Sequence, residues 1–507
     1  MGIVQRFGSQ TTKPLTLQAQ SGDRLTVRFL TDGKPQTLSA STARLEIVMQ
    51  PLTEPQLEER LVLSTHRSFE TAEDTAQRWQ AQGIPVEVGQ PGRWQVWAQR
   101  SVYNDPLLRR LLLKNLQSQG IQTAFLDTQM VKQRPKAALV LNGNRYLRDQ
   151  IDISSGRGVI QVGPVAGESW RLYAGSLRLQ RNAYGTYTLV NQVPLEAYLR
   201  GVVPYEIGTW APQSVLEAQA ILARTYALRN LRRFAIDNYQ LCADTQCQVY
   251  NGLNGAHPAT DRAIAATRGK VLTYQNELVD AVYSSTTGGV TASFTDVWQG
   301  QPRPYLQSII DSTTSPWDLG RKSLADEANF QTFIRKTKGF NEEGQRLFRW
   351  REVARLPQLK QELQDYLKSR KHPLAGFGSI QQMVVTERSP AGRVQRLQIV
   401  TDQGPIELKK DDIRVAFSAP YSTLFYLEPL YDQKRKLNGY AFVGGGFGHG
   451  VGLSQTGSYR LGELGWSSDR ILRFYFPGTA IQPLNSSIVF WQAPPVPVAN
   501  PLQLSSK

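Results

Sequence analysis

The sequence predicts an α+β protein rich in antiparallel strand. Short alternating apolar–polar runs recur along most of the chain, turn residues punctuate them, and only a few stretches carry helical periodicity. To about Pro51 the runs Leu15-Thr-Leu-Gln-Ala, Leu25-Thr-Val-Arg-Phe and Ala43-Arg-Leu-Glu-Ile-Val read as strands, with Asp32-Gly33 as a hairpin turn. A weak internal duplication follows. Leu61-Val-Leu-Ser, a helix around 72–82 and Gly83-Ile-Pro-Val-Glu-Val form one strand–helix–strand unit. Trp94-Gln-Val-Trp-Ala, a helix over about 106–119 and Gly120-Ile-Gln-Thr-Ala-Phe form the second. Gln-Gly-Ile recurs at 82–84 and 119–121, and two such units make a small split sheet backed by two helices.

From about Lys136 the strand patterns include Ala138-Leu-Val-Leu, Val159-Ile-Gln-Val, Ser176-Leu-Arg-Leu and Thr188-Leu-Val. A helix is expected over about 212–235. A charged helical insertion is expected over about 323–370, where Asp326, Glu327, Lys336, Lys338, Glu342, Glu343, Lys360 and Glu362 suggest a solvated surface. Strands return at Met383-Val-Val, Leu397-Gln-Ile-Val and Ile406-Glu-Leu, and the Pro-rich end at 491–507 reads as extended. In the 212–235 helix, Leu216, Ala220, Ala223, Ala227 and Leu231 fall on one stripe, and Val215, Ala218 and Leu222 widen it. This helix is therefore buried on much of its surface. Gln219, Arg224 and Tyr226 on it need partners, so they either brace the fold or line a cleft.

A length of 507 residues implies two to four domains, and 40% hydrophobic with 20% charged residues is a globular composition. No run of about 18 apolar residues is present, so no membrane-spanning helix is expected. The first residues carry Arg6 and Lys13 without the apolar core of a signal peptide, which fits either a cytosolic chain or a mature form with its export signal removed. The net charge of +16 favours acidic partners. Lys and Arg are dispersed and no zinc-finger or RNA-binding signature occurs, so nucleic acid is not expected as a partner. Cys242 and Cys247 admit a disulfide, free thiols or a share in a metal site.

The chemistry concentrates in five blocks. The first runs from Tyr198-Leu-Arg-Gly-Val-Val-Pro-Tyr-Glu206 through Ala218-Gln-Ala-Ile-Leu-Ala-Arg-Thr-Tyr-Ala. Then come Asp244-Thr-Gln-Cys-Gln-Val-Tyr-Asn-Gly, Tyr283-Ser-Ser-Thr-Thr-Gly-Gly-Val-Thr, and Asp296-Val-Trp with Pro304-Tyr-Leu. The last is Gly446-Phe-Gly-His449-Gly-Val-Gly-Leu-Ser-Gln455. It holds no GxGxxG and no Gly-Lys-Ser/Thr, which removes phosphate-loop readings, and Gly-Leu-Ser454-Gln-Thr breaks the serine-hydrolase elbow. In this order the blocks resemble the SpoIID/LytB family over roughly residues 138–485, with a departure at Ser284, where many relatives carry a histidine. The duplicated unit resembles a SPOR module, a binder of peptide-stripped glycan strands.

The resemblance implies a strand-rich SpoIID-type domain over 136–490 with a buried helix at its active cleft. It would be preceded by a β segment at 1–57 and a SPOR-like module at 58–135. It implies a peptidoglycan lytic transglycosylase in the periplasm or another extracytoplasmic layer, with neither cofactor nor metal. Glu206 would be the catalytic acid/base, alone because the muramyl C6 hydroxyl replaces water, whereas hydrolysing glycosidases usually need two carboxylates. Tyr205, Ile207 and Trp210 could desolvate it, and a nearby helix N-terminus would oppose them. Substrate contacts are expected from Gln219, Arg224, Tyr226, Gln248, Tyr250, Ser284, Ser285, Thr286, His449, Ser454 and Gln455, with Tyr250 and Trp298 as stacking candidates. The alternative is a non-catalytic glycan-binding protein that enhances a cell-wall amidase.

Overall fold

A computed structural model describes residues 1–9, 13–163, 169–370 and 372–492; the Pro-rich segment from Ala493 lies outside them. Strand outweighs helix, as an α+β fold requires. The described residues divide into two compact units, one of 1–210 with 219–271 and 484–492, the other of 211–218 with 272–483.

The first unit contains two antiparallel sheets. One orders Gly2–Phe7, Tyr187–Gln192, Ser176–Arg181, Gln150–Ser155, Leu25–Thr31 and Lys34–Ala40. The hairpin expected at Asp32-Gly33 is present: both residues have positive φ (50° and 74°), and Thr31 faces Lys34 across a two-residue turn. The second sheet is built on the long strand Thr42–His66, which pairs with Leu15–Ala19, Phe125–Leu141 and Trp94–Ala98, the last continuing to Val86–Gly89.

Inside this sheet the duplicated sequence forms a split β-α-β arrangement, with helices Phe69–Ala81 and Pro106–Ser118. Ser68 and Asp105 cap their starts, accepting from the Thr71 and Leu107 backbone N–H groups. The repeated Gln-Gly-Ile is the helix stop. The Ile84 N–H returns to the Trp79 carbonyl and the Ile121 N–H to the Leu116 carbonyl, both at 3.0 Å. Gly83 and Gly120 supply the left-handed φ this closure needs (79° and 84°). The sequence repeat is thus a Schellman cap used twice.

The helix expected over 212–235 is Gln213–Arg229, and its apolar stripe is buried from Val215 to Ala227. Leu231, placed on that stripe by periodicity, lies past the helix end and is 42% exposed.

In the second unit two three-stranded antiparallel sheets, Trp350–Arg355 with Leu437–Gly444 and Phe425–Tyr431, and Ile380–Arg388 with Val394–Thr401 and Gly404–Lys409, pack around helix Leu356–Ser369. The charged insertion is not one solvated helical stretch. It resolves into Glu327–Arg335, Trp350–Arg355 and Leu356–Ser369. Phe330, Phe333 and Ile334 enter one apolar core, and Leu359, Leu363 and Leu367 another. Charged residues hide this because each helix is amphipathic: a few apolar side chains face inward between exposed Lys and Glu. Among the described residues no helix is long and apolar enough to cross a membrane.

Candidate functional site

The expected residues divide between the two units. Glu206, Gln219, Arg224, Tyr226, Gln248 and Tyr250 belong to the first, and Ser284, Ser285, Thr286, His449, Ser454 and Gln455 to the second.

Glu206 sits on the short helix Val203–Ile207, which Pro204 helps start and Gly208 ends at a positive φ of 76°. It is half-buried, and its Oε1 accepts the Val249 N–H at 2.7 Å. That bond ties the glutamate to the segment carrying Gln248, whose Oε1 accepts the Tyr198 hydroxyl at 2.7 Å. Of the neighbours expected to desolvate Glu206, only Ile207 is buried. Trp210 is 94% exposed, and Tyr205, 40% exposed, lays its ring over Gly255.

Helix Gln213–Arg229 carries polar residues that brace the fold. Arg224 is fully buried. Its Nε and Nη2 donate to the two Glu196 carboxylate oxygens, both at 2.8 Å, and Nη1 donates to the Lys270 carbonyl at 3.0 Å. With its donor fork occupied, Arg224 is corrected from substrate contact to brace. Tyr226 is buried too, and its hydroxyl accepts from Arg233. Arg233 in turn pairs with Glu70, and Arg232 with Glu73, linking this segment to helix Phe69–Ala81. Gln219 and Gln248 are likewise buried. Tyr250 is corrected from a sugar-stacking aromatic to core: it is fully buried, its hydroxyl donates to Asn191 Oδ1 at 2.7 Å, and Tyr173 and Tyr198 pack around it.

Cys242 and Cys247 form a disulfide, which decides among the three readings left open by the sequence and removes both as thiolate ligands. Cys242 lies in the core with Phe69, Trp94, Phe234 and Tyr239. The loop closed is short, so replacing both cysteines with serine should cost about 2 kcal/mol on a loop-entropy basis. Urea unfolding of the double variant measures this.

In the second unit Tyr283–Ser284 pairs in parallel with Leu453–Ser454, bringing the Ser-Ser-Thr-Thr loop beside the end of the glycine-rich block. Ser284 and Thr286 are buried, and Ser285 is half-buried with its carbonyl accepting from Thr456. Ser454 is corrected from substrate contact to helix cap. It is fully buried, accepts the Gly457 N–H at 3.0 Å and donates to Glu342 at 2.5 Å.

His449 is half-buried, and its ring packs against Trp298 with centroids 5.1 Å apart. Its Nδ1 accepts the Val451 N–H at 3.0 Å. Burial, then Arg414, lowers its pKa to about 4, so the imidazole is neutral at pH 7, and the ring also hydrogen-bonds the Tyr283 backbone. Because the folded pKa lies below the ordinary 6.5, this contribution to stability is complete above about 6.5 and falls with acid toward about 4. Thermal unfolding across that window should show the slope, and His449→Gln should flatten it. Gln455 is half-buried at the start of helix Gln455–Glu463.

Sequence reasoning missed Asp311 and Glu342, both fully buried in the second unit. Glu342 stands among Lys338, Glu343 and Arg346, and nothing in that context distinguishes it from a surface charge.

Comparison with known proteins divides along the chain. Residues 183–274 match the family described as Stage II sporulation protein, and residues 292–452 match one described as a domain of unknown function. The amidase enhancer of Bacillus subtilis (strain 168) is 28% identical over 306 residues, 56% of this chain and 40% of that protein. Stage II sporulation protein D of Bacillus amyloliquefaciens is 29% identical over 320 residues, 60% of this chain and 78% of that protein. An uncharacterised protein of Brachyspira hyodysenteriae is 26% identical over 316 residues, 59% of this chain and 70% of that protein. The match thus spans under half of the amidase enhancer and most of stage II sporulation protein D. Glu206, Arg224 and the disulfide all stand inside the first matched segment. The chain thus matches the Stage II sporulation protein family over residues 183–274 and is similar to stage II sporulation protein D and to the amidase enhancer.

Proposed function

We propose that this protein acts on the glycan strands of peptidoglycan as a lytic transglycosylase, with Glu206 as its acid/base. The observation that carries the reading is a half-buried glutamate inside the SpoIID domain, held through one oxygen by the Val249 N–H. Glu206 would protonate the oxygen leaving the muramyl anomeric carbon. As that bond breaks, the muramyl C6 oxygen bonds to the same carbon and Glu206 takes the C6 hydroxyl proton. The sugar ends as a 1,6-anhydro ring and the glutamate returns to its starting state, so one carboxyl serves both steps. In the second unit Ser285 and Gln455 are half-buried and would offer hydrogen bonds to sugar hydroxyls. The basic balance of the chain favours the anionic wall, and the disulfide favours an oxidising, extracytoplasmic compartment. The split β-α-β module at 58–135 would add glycan affinity.

A second reading is a glycan-binding enhancer of a cell-wall amidase. It draws on the name of the Bacillus subtilis relative and on the enclosure of Arg224, Tyr226 and Tyr250, which withdraws them from contact with a strand. The test is incubation with purified glycan strands, peptide-bearing and peptide-stripped, followed by mass spectrometry for anhydro-muramyl ends. New ends that vanish in Glu206→Gln support the enzyme. Binding without new ends moves the reading to the enhancer.

A further inference from the structure

The buried carboxyls Asp311 and Glu342 lie outside the chemistry proposed above. Glu342 Oε1 accepts from the Thr287 N–H at 2.6 Å, the Thr287 hydroxyl at 3.0 Å and the Ser454 hydroxyl at 2.5 Å. Its Oε2 accepts the Gly289 N–H at 2.9 Å. Four donors converging on one carboxyl are what an ionised group requires. Asp311 Oδ1 accepts from Asn341 Nδ2 at 2.8 Å and the Tyr475 hydroxyl at 2.9 Å.

The Thr287 hydroxyl is also 3.3 Å from Asp311 Oδ2. It has one proton and stands between oxygens of two carboxyls, so it can donate to one of them only. The second contact is a hydrogen bond only if that carboxyl carries a proton and donates it. Since Glu342 already receives three other donors, the proton falls to Asp311, which meets Glu342 both directly and through the Thr287 hydroxyl. Around this pair the loop is held on both sides. Arg349 donates to the Gly288 carbonyl at 2.9 Å, and Arg393 to the Thr287 and Val290 carbonyls at 2.7 and 3.0 Å. Gly457 packs so closely that a Cβ there would fall 2.4 Å from Asp311 Oδ2.

We propose that Asp311 and Glu342 hold a single proton, shared between their carboxyls beside the Thr287 hydroxyl, and that this pair, braced by the buried Ser454, positions the 284–289 loop for glycan binding. The positioning role rests on the function proposed above; the shared proton does not. Asp311 and Glu342 lie within the segment matching the domain of unknown function, whereas Thr287 and Ser454 flank its two ends. The pair therefore gives that segment a task, tying its two flanks together.

The groups facing Asp311 are Asn341, Tyr475, Thr287, Glu342 and the Gly457 backbone; Arg349 and Arg393 are the cations coupled to Glu342. Burial first, then the Glu342 charge, raises the Asp311 pKa to about 8. Above that pH two carboxylates would face each other across a hydroxyl that can serve one of them, and the loop loses its anchor.

An infrared titration of the full chain tests the shared proton. Wild type should show a carboxylic-acid carbonyl band at neutral pH that fades as pH rises through about 8. Asp311→Asn, whose amide keeps a donor for Thr287, should lack the band. No such band in wild type, or a band that survives Asp311→Asn, overturns the pair. Co-sedimentation with glycan tests the positioning. Wild-type affinity should fall about tenfold across the same transition, as expected when binding is linked to one proton, and the Asp311→Asn profile should be flat. Equal pH dependence in both proteins overturns the positioning role. A wild type that binds no glycan at any pH counts against the proposed function and the positioning role that rests on it, while the infrared result still decides the proton.

Discussion

Glu206→Gln is expected to lower the formation of anhydro-muramyl ends by about 10³-fold or more, while glycan affinity changes less than about twofold. The magnitude follows from the double task of this carboxyl: general acid–base catalysis by one positioned group contributes roughly 10²–10⁴-fold, and here the same group serves both proton transfers. The selectivity follows from geometry. Glutamine is isosteric, and its amide oxygen can still accept the Val249 N–H that holds Glu206 Oε1 at 2.7 Å. The short helix Val203–Ile207 and the Tyr198–Gln248 hydrogen bond beside it are then undisturbed. Only the exchangeable carboxyl proton is removed. Single-turnover measurement of reducing and anhydro ends, alongside co-sedimentation, separates the two effects. A variant that keeps wild-type turnover would take the catalytic assignment away from Glu206.

Arg224→Ala is expected to destabilise the first unit by about 3 kcal/mol, the low end for breaking a buried ion pair because Glu196 retains some contact with water. The guanidinium makes two hydrogen bonds to Glu196 and one to the Lys270 carbonyl from a position with no exposed surface. Truncation leaves a carboxylate without its cation, a carbonyl without its donor and a void inside the helix packing. Arg224→Lys should recover only part of the loss, because one ammonium cannot reproduce a two-pronged contact with a carboxylate and also reach the carbonyl. Urea unfolding followed by a probe in the first unit reads both variants. Were Arg224 instead a substrate contact, the alanine variant would lose glycan affinity with stability intact.

The sequence by itself determined many of the local elements and the likeness to the SpoIID family. Alternation located strands such as Leu15–Ala19, Leu25–Thr31, Val159–Gly163 and Gly404–Lys409, because a half-buried strand must present apolar residues every second position. The duplicated Gln-Gly-Ile marked two helix ends, since only glycine closes that cap without strain. Five ordered blocks carry the resemblance to the SpoIID family. What tertiary structure alone decided was the environment of each polar side chain. Arg224 and Tyr250 are in the core, Ser454 caps a helix, and Glu342 is buried among residues that read as solvated. Burial is set by neighbours distant in sequence: Asn191 for Tyr250, Glu196 for Arg224, Thr287 and Ser454 for Glu342. A carboxyl on the surface and one in the interior are the same letter in a sequence. They differ only in how many donors the fold brings to them, and that is a property of long-range packing.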